Sequence, residues 1–497
     1  MAQKDLLIRG GKLISPADGF RGEIRDILIR NGVIEQIGEK LAAEPEVRVL
    51  DAGGKWVAPG FIDMHAHVLD VEDLLGGKAL GLPADAVGVC QGTTTVVDAG
   101  TAGPGTMETF VEETVKKSRT RVYAAMHYAT QGLRCPPEAD APEKYDLQVG
   151  LEAAKRYAPY IVAIKGRASA TCVGELGITS IRAGKELAKA AGLPMLVHIG
   201  HMPPQIEDVL DTMERGDVIT HAFHGKDNNL LSDGRIKPQT QAARDRGVLF
   251  DVGHGKDSFN FETGKKAGEL GFVPDTISTD LHTGSFHKPV KSLAETASKF
   301  LALGYGLDWC IHRITAAPAA AMKLEKLGRL QPGAWGDITV FHLEQGKYTF
   351  TDANKNVLQG TQMITPDYAV IGGKVEMDAN DLFRTLCRTS AVEEEYWPEY
   401  EYMARTMEKT LEEQKIILDE GRKMAFLNHV IALLTRLRRK EHVPEMGDEI
   451  LEELDGDTLQ LADMVLKPAC RWYGQVDNAE RVLVALHIQS AKTAASG

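Results

Sequence analysis

The sequence predicts an α/β fold: a (β/α)8 TIM barrel, a small β-sandwich domain built from both of its flanks, and a C-terminal all-α domain. Three observations carry this. Eight short β-rich runs lie between residues 58 and 320, separated by longer helical patterns. Strand-and-turn signals of a different character precede and follow them. From about residue 390 the strand signals stop and helical periodicity takes over.

The first flank, residues 1–57, holds "DLLIRGGKLIS" and "RDILIRNGVIEQIG", two strand patterns with Gly-Gly and Asn-Gly turn signals. The last, residues 321–378, holds "GRLQPGAWGDITVFHL" and "YAVIGGKVEM". Neither flank has enough strands to bury a face alone, so the two are expected to pair. Between them, the runs "GFIDMHAH", "TTTVVDAG", "RVYAAMHY", "YIVAIKGR", "LPMLVHIG", "GDVITHAF", "GVLFDVGHG" and "DTISTDLH" supply eight parallel strands. Residues 385–497 form the third, helical domain. Its acidic stretch "EEEYWPEYEYMARTMEKTLEE" reads most simply as a solvated helix face.

At 497 residues the chain has room for several domains, and 43% hydrophobic with 26% charged residues is ordinary globular composition. The formal net charge of −13 argues against nucleic acid or an anionic membrane as the main partner. The start lacks a secretory pattern, and no run is long enough to span a membrane. Six cysteines, Cys90, Cys135, Cys172, Cys310, Cys387 and Cys470, are scattered without a CxxC pair, as expected of reduced thiols in a cytoplasmic protein.

Five of the eight strand ends carry ligand-type side chains: His65 and His67 on the first, Lys165 on the fourth, His198 on the fifth, His221 on the sixth and Asp280 on the eighth. Residues two apart in a strand face one way, so His65 and His67 are placed to hold one ion. A barrel gathers its strand ends into one ring, where active sites form. Imidazole and carboxylate suit zinc, with manganese or cobalt fitting similar geometry. A lone lysine at the end of the apolar run "IVAI" is costly to keep charged. With a lowered pKa it can add carbon dioxide and become an anionic carbamate; a salt bridge to a barrel acid is the competing reading.

The motifs "GFIDMHAH", "IKGRAS", "LVHIG", "DVITHAFHG" and "STDLH" resemble the amidohydrolase superfamily of metal-dependent hydrolases over residues 1 to about 378. The resemblance is strongest to an amidohydrolase/deacetylase branch, with relatives acting on acetylated 2-hydroxy acids; dihydroorotases and hydantoinases are more distant. It implies two zinc ions per chain, one held by His65 and His67, the other by His198 and His221. It further implies that carboxylated Lys165 bridges them, while Asp280 touches the first metal and moves protons. Two metals sharing a water lower its pKa enough to supply hydroxide near neutral pH, with Asp280 as general base and then acid.

Arg167, two residues after Lys165, is expected to face the same side and pair with a substrate carboxylate. A structural salt bridge competes with that reading. Gly100, in "DAGTAGPG", is a candidate amide donor or a tight-turn residue, and His254 ends the seventh strand as a candidate substrate contact. His201, His224 and His282, adjacent to the ligands, are further pocket candidates or, equally, contacts that orient the ligands.

In the tail, "FLNHVIALLTRL", "GDTLQLADMV" and "AERVLVALHIQSA" resemble the phosphotransferase-system regulatory domain (PRD) of bacterial transcription regulators. That resemblance makes His429 and His487 candidates for phosphorylation by a phosphocarrier protein. A packing or dimerisation module is the competing reading. The expected activity is hydrolytic removal of an acyl group from a small acidic substrate by a cytoplasmic homo-oligomer. Opening of a cyclic amide is the alternative, and a ligand sensor signalling through the tail is the alternative of another class. The intact ligand set favours an enzyme.

Overall fold

The computed structural model describes residues 5–69, 80–134, 137–444 and 454–496; Cys135 lies outside them. The chain divides into two compact units, Met1–Asp378 and Ala379–Gly497.

In the first unit the leading flank forms β1 (Leu6–Ser15), β2 (Phe20–Arg30), β3 (Val33–Gly38), β4 (Arg48–Asp51) and β5 (Trp56–Pro59). Asn31 and Gly32 join β2 to β3 with φ of 49° and 83°. Positive φ at both positions gives the hairpin a twist that matches its strands. The parallel strands follow: β6 (Phe61–Ala66), β7 (Thr93–Asp98), β8 (Arg121–His127), β9 (Ile161–Ala168), β10 (Met195–Ile199) and β11 (Val218–Thr220). After a short hairpin, β12 (Leu231–Ser232) and β13 (Arg235–Ile236), comes the last parallel strand, β14 (Leu249–Phe250). The closing flank supplies β15 (Ile338–Thr351), β16 (Val357–Ile371) and β17 (Lys374–Asp378).

The two flanks share one sheet of eight strands, ordered β17-β16-β15-β5-β1-β2-β3 with β4 on β1. Their junction is the antiparallel β5–β15 pair, with Pro59 opposite Ile338 and Trp56 opposite Phe341. Leu6, Ile8, Leu13, Ile27, Ile29, Val57, Ile338 and Val340 fill the core behind it.

The parallel sheet runs β14-β11-β10-β9-β8-β7-β6, each strand beside its neighbour in sequence, as right-handed βα winding produces. β6 and β7 are buried along their whole length. This is why their runs read as continuous apolar and threonine stretches and not as alternation.

The eighth run departs from the expected regular strand. It holds only isolated bridges, Asp251 to Thr276 on one side and Ala66 to Leu281 on the other, which set it between the two sheet edges. The hydroxyls of Thr276 and Ser278 donate to Asp251, and Asp280 adopts a φ of 51°. A left-handed residue interrupts the ladder and turns its side chain into the ring.

The second unit, among the described residues, consists of helices Leu382–Thr389, Trp397–Glu413, Glu420–Arg439, Gly456–Tyr473 and Asn478–Ser496. Asp381, Asp419 and Asp455 cap three of them, accepting from the amides of Arg384, Arg422 and Thr458. Tyr400, Met403, Met407, Phe426, Val430, Leu433 and Val465 form its core. The acidic stretch is not wholly solvated, contrary to the sequence reading. Glu401 is fully buried between Arg384, at 2.8 Å, and Arg405, at 2.9 Å. Glu399 is buried as well and accepts from the Tyr473 hydroxyl.

Cys90, Cys172, Cys310 and Cys387 are buried free thiols and Cys470 is an exposed one. No helix among the described residues is long and apolar enough to cross a membrane.

Candidate metal centre

The carboxyl ends of the parallel strands bring six of the sequence-predicted residues together. Asp280 Oδ1 lies 3.0 Å from His67 Nε2 and 3.4 Å from His65 Nε2. Its Oδ2 is 3.9 Å from His221 Nε2. Lys165 Nζ is 3.2 Å from His65 Nε2, and the rings of His198 and His221 meet edge-on with centroids 4.4 Å apart. Ligand atoms of His65, His221 and Asp280 all fall within 4.8 Å of one another.

The nitrogens facing away from this cluster are fixed by groups that sequence reasoning missed. Thr220 donates its hydroxyl to Asp251 Oδ2 at 2.7 Å. Its oxygen therefore accepts from His65 Nδ1, 2.8 Å away, and the Nε2 lone pair points inward. His221 Nδ1 donates to the Gly253 carbonyl at 2.6 Å, with the same result. His67 Nδ1 sits 2.8 Å from Thr101 Oγ1. Asp98, ending β7, accepts the amides of Gly100, Thr101 and Val68 and so holds the turn that carries Thr101. Asp63 accepts the amides of His65 and Thr279. Such partners set tautomer and ring orientation in metal sites. Their signal in the sequence is only Asp or Thr next to a ligand, which is common in buried strands.

Backbone strain gathers at the same place. His221 and Asp280 have φ of 63° and 51°, a region that costs roughly 1–3 kcal/mol for a side-chain-bearing residue and recurs at functional sites.

Burial brings the Lys165 amine down to about 7, helped by Arg167 and opposed by Asp280. Burial and the Lys165 charge hold His65 well below the ordinary imidazole range, while burial and His221 do the same for His198. Burial takes His221 to about 3. These rings are neutral, the form that binds metal. Burial works against the Asp280 carboxylate, yet His65, His67 and His221 beside it outweigh that cost and hold it well below the usual carboxylate range.

The candidate substrate contacts fare differently. Arg167 faces the cluster side of β9, and its Nη1 lies 3.2 Å from Oε1 of Glu138. Glu138 is a buried carboxylate that the sequence did not single out. His127, ending β8, is buried with its Nε2 3.8 Å from the same oxygen. Gly100 is not a free amide donor, because its N–H goes to Asp98 at 3.2 Å. It has a φ of 91°, and a Cβ there would fall 2.6 Å from Lys165 Cγ. His254 has both nitrogens occupied, Nδ1 by the Gly255 carbonyl at 3.1 Å and Nε2 by the buried Lys299 ammonium at 2.9 Å. That leaves no ring nitrogen for a substrate, contrary to the sequence reading. His282 lies 6.1 Å from the His67 ring, His201 is exposed, and His224 is buried.

In the second unit His429 and His487 stack with ring centroids 5.1 Å apart. His429 Nε2 lies 3.1 Å from Glu480 Oε2, and Arg436 donates to the other Glu480 oxygen at 2.6 Å.

A family model for a deacetylase-like composite domain matches residues 330–376. A deacetylase from Brucella anthropi is 34% identical over 377 residues, which cover 75% of this chain and 92% of that protein. The chain belongs to the deacetylases of the amidohydrolase superfamily. Two solved structures are similar to this chain. One, described as an adenine deaminase, has a TM-score of 0.70 at 30% identity and covers 75% of this chain and all of its own. The other, described as a dihydroorotase, has a TM-score of 0.69 at 32% identity, covering 75% of this chain and 99% of its own. As a member of this superfamily the chain is a metal-dependent hydrolase. Its donor set fits a divalent ion on chemical grounds: the His65 and His221 imidazoles with inward lone pairs, an ionised Asp280 carboxylate and the Lys165 amine brought to near neutrality.

Proposed function

We propose that the chain removes an acyl group from a small acidic substrate at a centre of two zinc ions, and that carboxylated Lys165 bridges them. His65 and His67 would hold one ion and His198 and His221 the other, with Asp280 beside the first pair. The observation that carries this reading is Lys165 itself: a buried amine, brought to about 7, standing 3.2 Å from His65 inside a ring of imidazoles. A neutral amine can attack carbon dioxide, forming an N–C bond and releasing one proton, to give a carbamate with two ligand oxygens. When bound, the two ions lower the pKa of a shared water and polarise the substrate carbonyl. Asp280 accepts the proton at Oδ2 as attack proceeds and returns it to the leaving oxygen or nitrogen. Thr220, Asp251 and Thr101 keep the imidazoles aligned throughout.

Opening of a cyclic amide is the second reading, favoured by the similarity to the dihydroorotase structure. Acetate release, measured with zinc and bicarbonate supplied on O- and N-acetylated small acids against cyclic imides and ureides, decides between them. Acetate from the first set supports deacetylation; ring opening alone refutes it.

For the second unit we propose a PRD-type regulatory role, with His429 and His487 as sites for a phosphocarrier protein. The stacked pair and the Glu480–Arg436 bridge beneath it form a charge-sensitive cluster where added phosphate would shift helix packing. Incubation with phosphocarrier and phosphoenolpyruvate followed by intact mass tests it. We propose a cytoplasmic location, in line with the free thiols among the described residues, and assembly as a homo-oligomer.

A further inference from the structure

His254 offers no nitrogen to a substrate, and the group that holds its ring ties the rim of the metal centre to the rest of the unit. That group is Lys299, completely buried on the helix Leu293–Ala302. Its Nζ donates to His254 Nε2 at 2.9 Å, to the Pro289 carbonyl at 2.8 Å and to the Thr351 carbonyl at 3.0 Å. Glu295, one helical turn earlier, stands 3.8 Å away. The three N–H groups are thus used on an imidazole and two main-chain carbonyls, and the carboxylate only offsets the charge. A buried ammonium is costly, and an apolar side chain of similar volume often serves stability as well. What this lysine holds together therefore indicates its use.

On one side it holds the segment Gly253–Gly255, which follows β14. The Gly253 carbonyl accepts from His221 Nδ1 at 2.6 Å. The amides of His254 and Gly255 donate to the carbonyls of Ser278 and Thr279, at 3.1 and 2.9 Å, just before Asp280. Gly255 has a φ of 52°, and a Cβ there would fall 2.3 Å from Asp280 Oδ2, so its main chain lies directly against that carboxylate. A shift of this segment would move the carbonyl that orients His221 and the wall behind Asp280 together. On the other side is the tip of the β15–β16 hairpin. Thr351 ends β15, the next residue, Asp352, accepts the Phe261 amide at 2.8 Å, and the Ala353 amide donates to the Phe259 carbonyl at 3.0 Å.

We propose that Lys299 is a positioning residue of the metal centre: acting through His254, its ammonium pins the Gly253–Gly255 segment to the β15–β16 hairpin and so fixes the orientation of His221 and the place of Asp280. Lys299 touches no substrate and moves no proton. The proposal rests on the reading that His221 and Asp280 lie at a metal centre.

The test is the visible spectrum of the full-length protein loaded with cobalt in place of zinc, because the cobalt bands report the geometry of the ligands, together with metal affinity by chelator competition. Lys299→Met changes the position or intensity of the bands and weakens metal binding about tenfold, the low end for loss of a group that orients a ligand. His254→Phe breaks the same link from its other end, leaves Lys299 its two carbonyls and gives the same change, so one variant suffices if the other fails to fold. Ser298→Ala is the control. Ser298 is the buried neighbour of Lys299 on the helix, and its hydroxyl accepts the Ile364 amide at 2.9 Å; its loss lowers the unfolding midpoint and leaves bands and affinity as in the wild type. A folded Lys299→Met or His254→Phe protein with wild-type bands and affinity overturns the positioning role, as does a Ser298→Ala protein that shows the same spectral change. A wild type that binds no cobalt or zinc refutes the metal centre itself, and the proposal with it.

Discussion

Gly100→Ala tests how tightly the barrel is built around Lys165. At this position φ is 91°, and a Cβ would fall 2.6 Å from Lys165 Cγ, 2.9 Å from Lys165 Cβ and 3.2 Å from His127 Cδ2. Carbon atoms in good contact sit about 3.5–4.0 Å apart, so the lysine stem must move by close to an ångström. It has little room, since Lys165 is 1% exposed and pairs in register with His127 on one side and Leu196 on the other. Forcing an alanine into positive φ costs about 1–2 kcal/mol, and overpacking a filled core adds about 1–3 kcal/mol, for a total of roughly 2–5 kcal/mol. Denaturant midpoints of the metal-free variant and wild type, with unfolding slopes compared, measure that cost. Zinc stoichiometry by elemental mass spectrometry reads the displaced lysine, and we expect it to fall below that of the wild type. A variant within about 0.5 kcal/mol of wild type, the usual range for a neutral surface change, with full zinc loading would refute the idea that Gly100 is needed to seat Lys165.

Four further outcomes are expected. Lys165→Met loses bound zinc and hydrolytic activity together, since both metal pairs share this residue in the proposed site; unchanged stoichiometry would remove Lys165 from the ligand set. Thr220→Val strips His65 of its Nδ1 acceptor and should weaken zinc binding about 10–100-fold, as read by competition with a chelator, while the fold persists by circular dichroism. Asp280→Asn lowers kcat by about 10²–10⁴-fold if the carboxylate moves protons, and turnover within tenfold of wild type would exclude that role. Burial and His429 bring His487 down to about 4 from 6.5, so the unfolded chain binds this proton more tightly than the folded one. Stability from this group is therefore present above pH 6.5 and lost as pH falls towards 4. Acid titration of the helical unit's unfolding in the full chain should show that slope, and His487→Gln should flatten it.

The residues that converge at the candidate metal centre are legible in the sequence because chemistry and position coincide in them. His65, His67, Lys165, His198 and His221 each end an apolar run, and a barrel sends such ends to one place. The groups that orient them were not legible. Thr220, Asp251 and Asp98 gain their roles from partners 30 or more residues away, or from backbone amides in a turn, and a buried threonine carries no local sign of its partner. The same limit explains Glu399 and Glu401. Local pattern makes them part of an acidic, solvated face, whereas Arg384, 17 residues earlier, and Tyr473, 74 residues later, take them into the core. His254 shows the converse: it ends a strand as His198 and His221 do, but Lys299, 45 residues on, takes its Nε2.

The places where local rules are broken converge on one volume. Positive φ at His221 and Asp280, a buried lysine among imidazoles, and a glycine whose hydrogen atom borders that lysine are each unfavourable alone. Each persists because its surroundings leave no alternative. Asp280 is fixed by its amide on the His65 carbonyl at 2.6 Å, and His221 by its ring on Gly253, itself at φ 47°. Lys165 is fixed by the register of three strands. A fold that needed only stability would relax such positions, with Leu at 165 and an extended residue at 280. Their concentration where the His65, His198 and His221 imidazoles are neutral is what a site preorganised for cations requires, because a neutral ring has no proton to give up before it binds a metal.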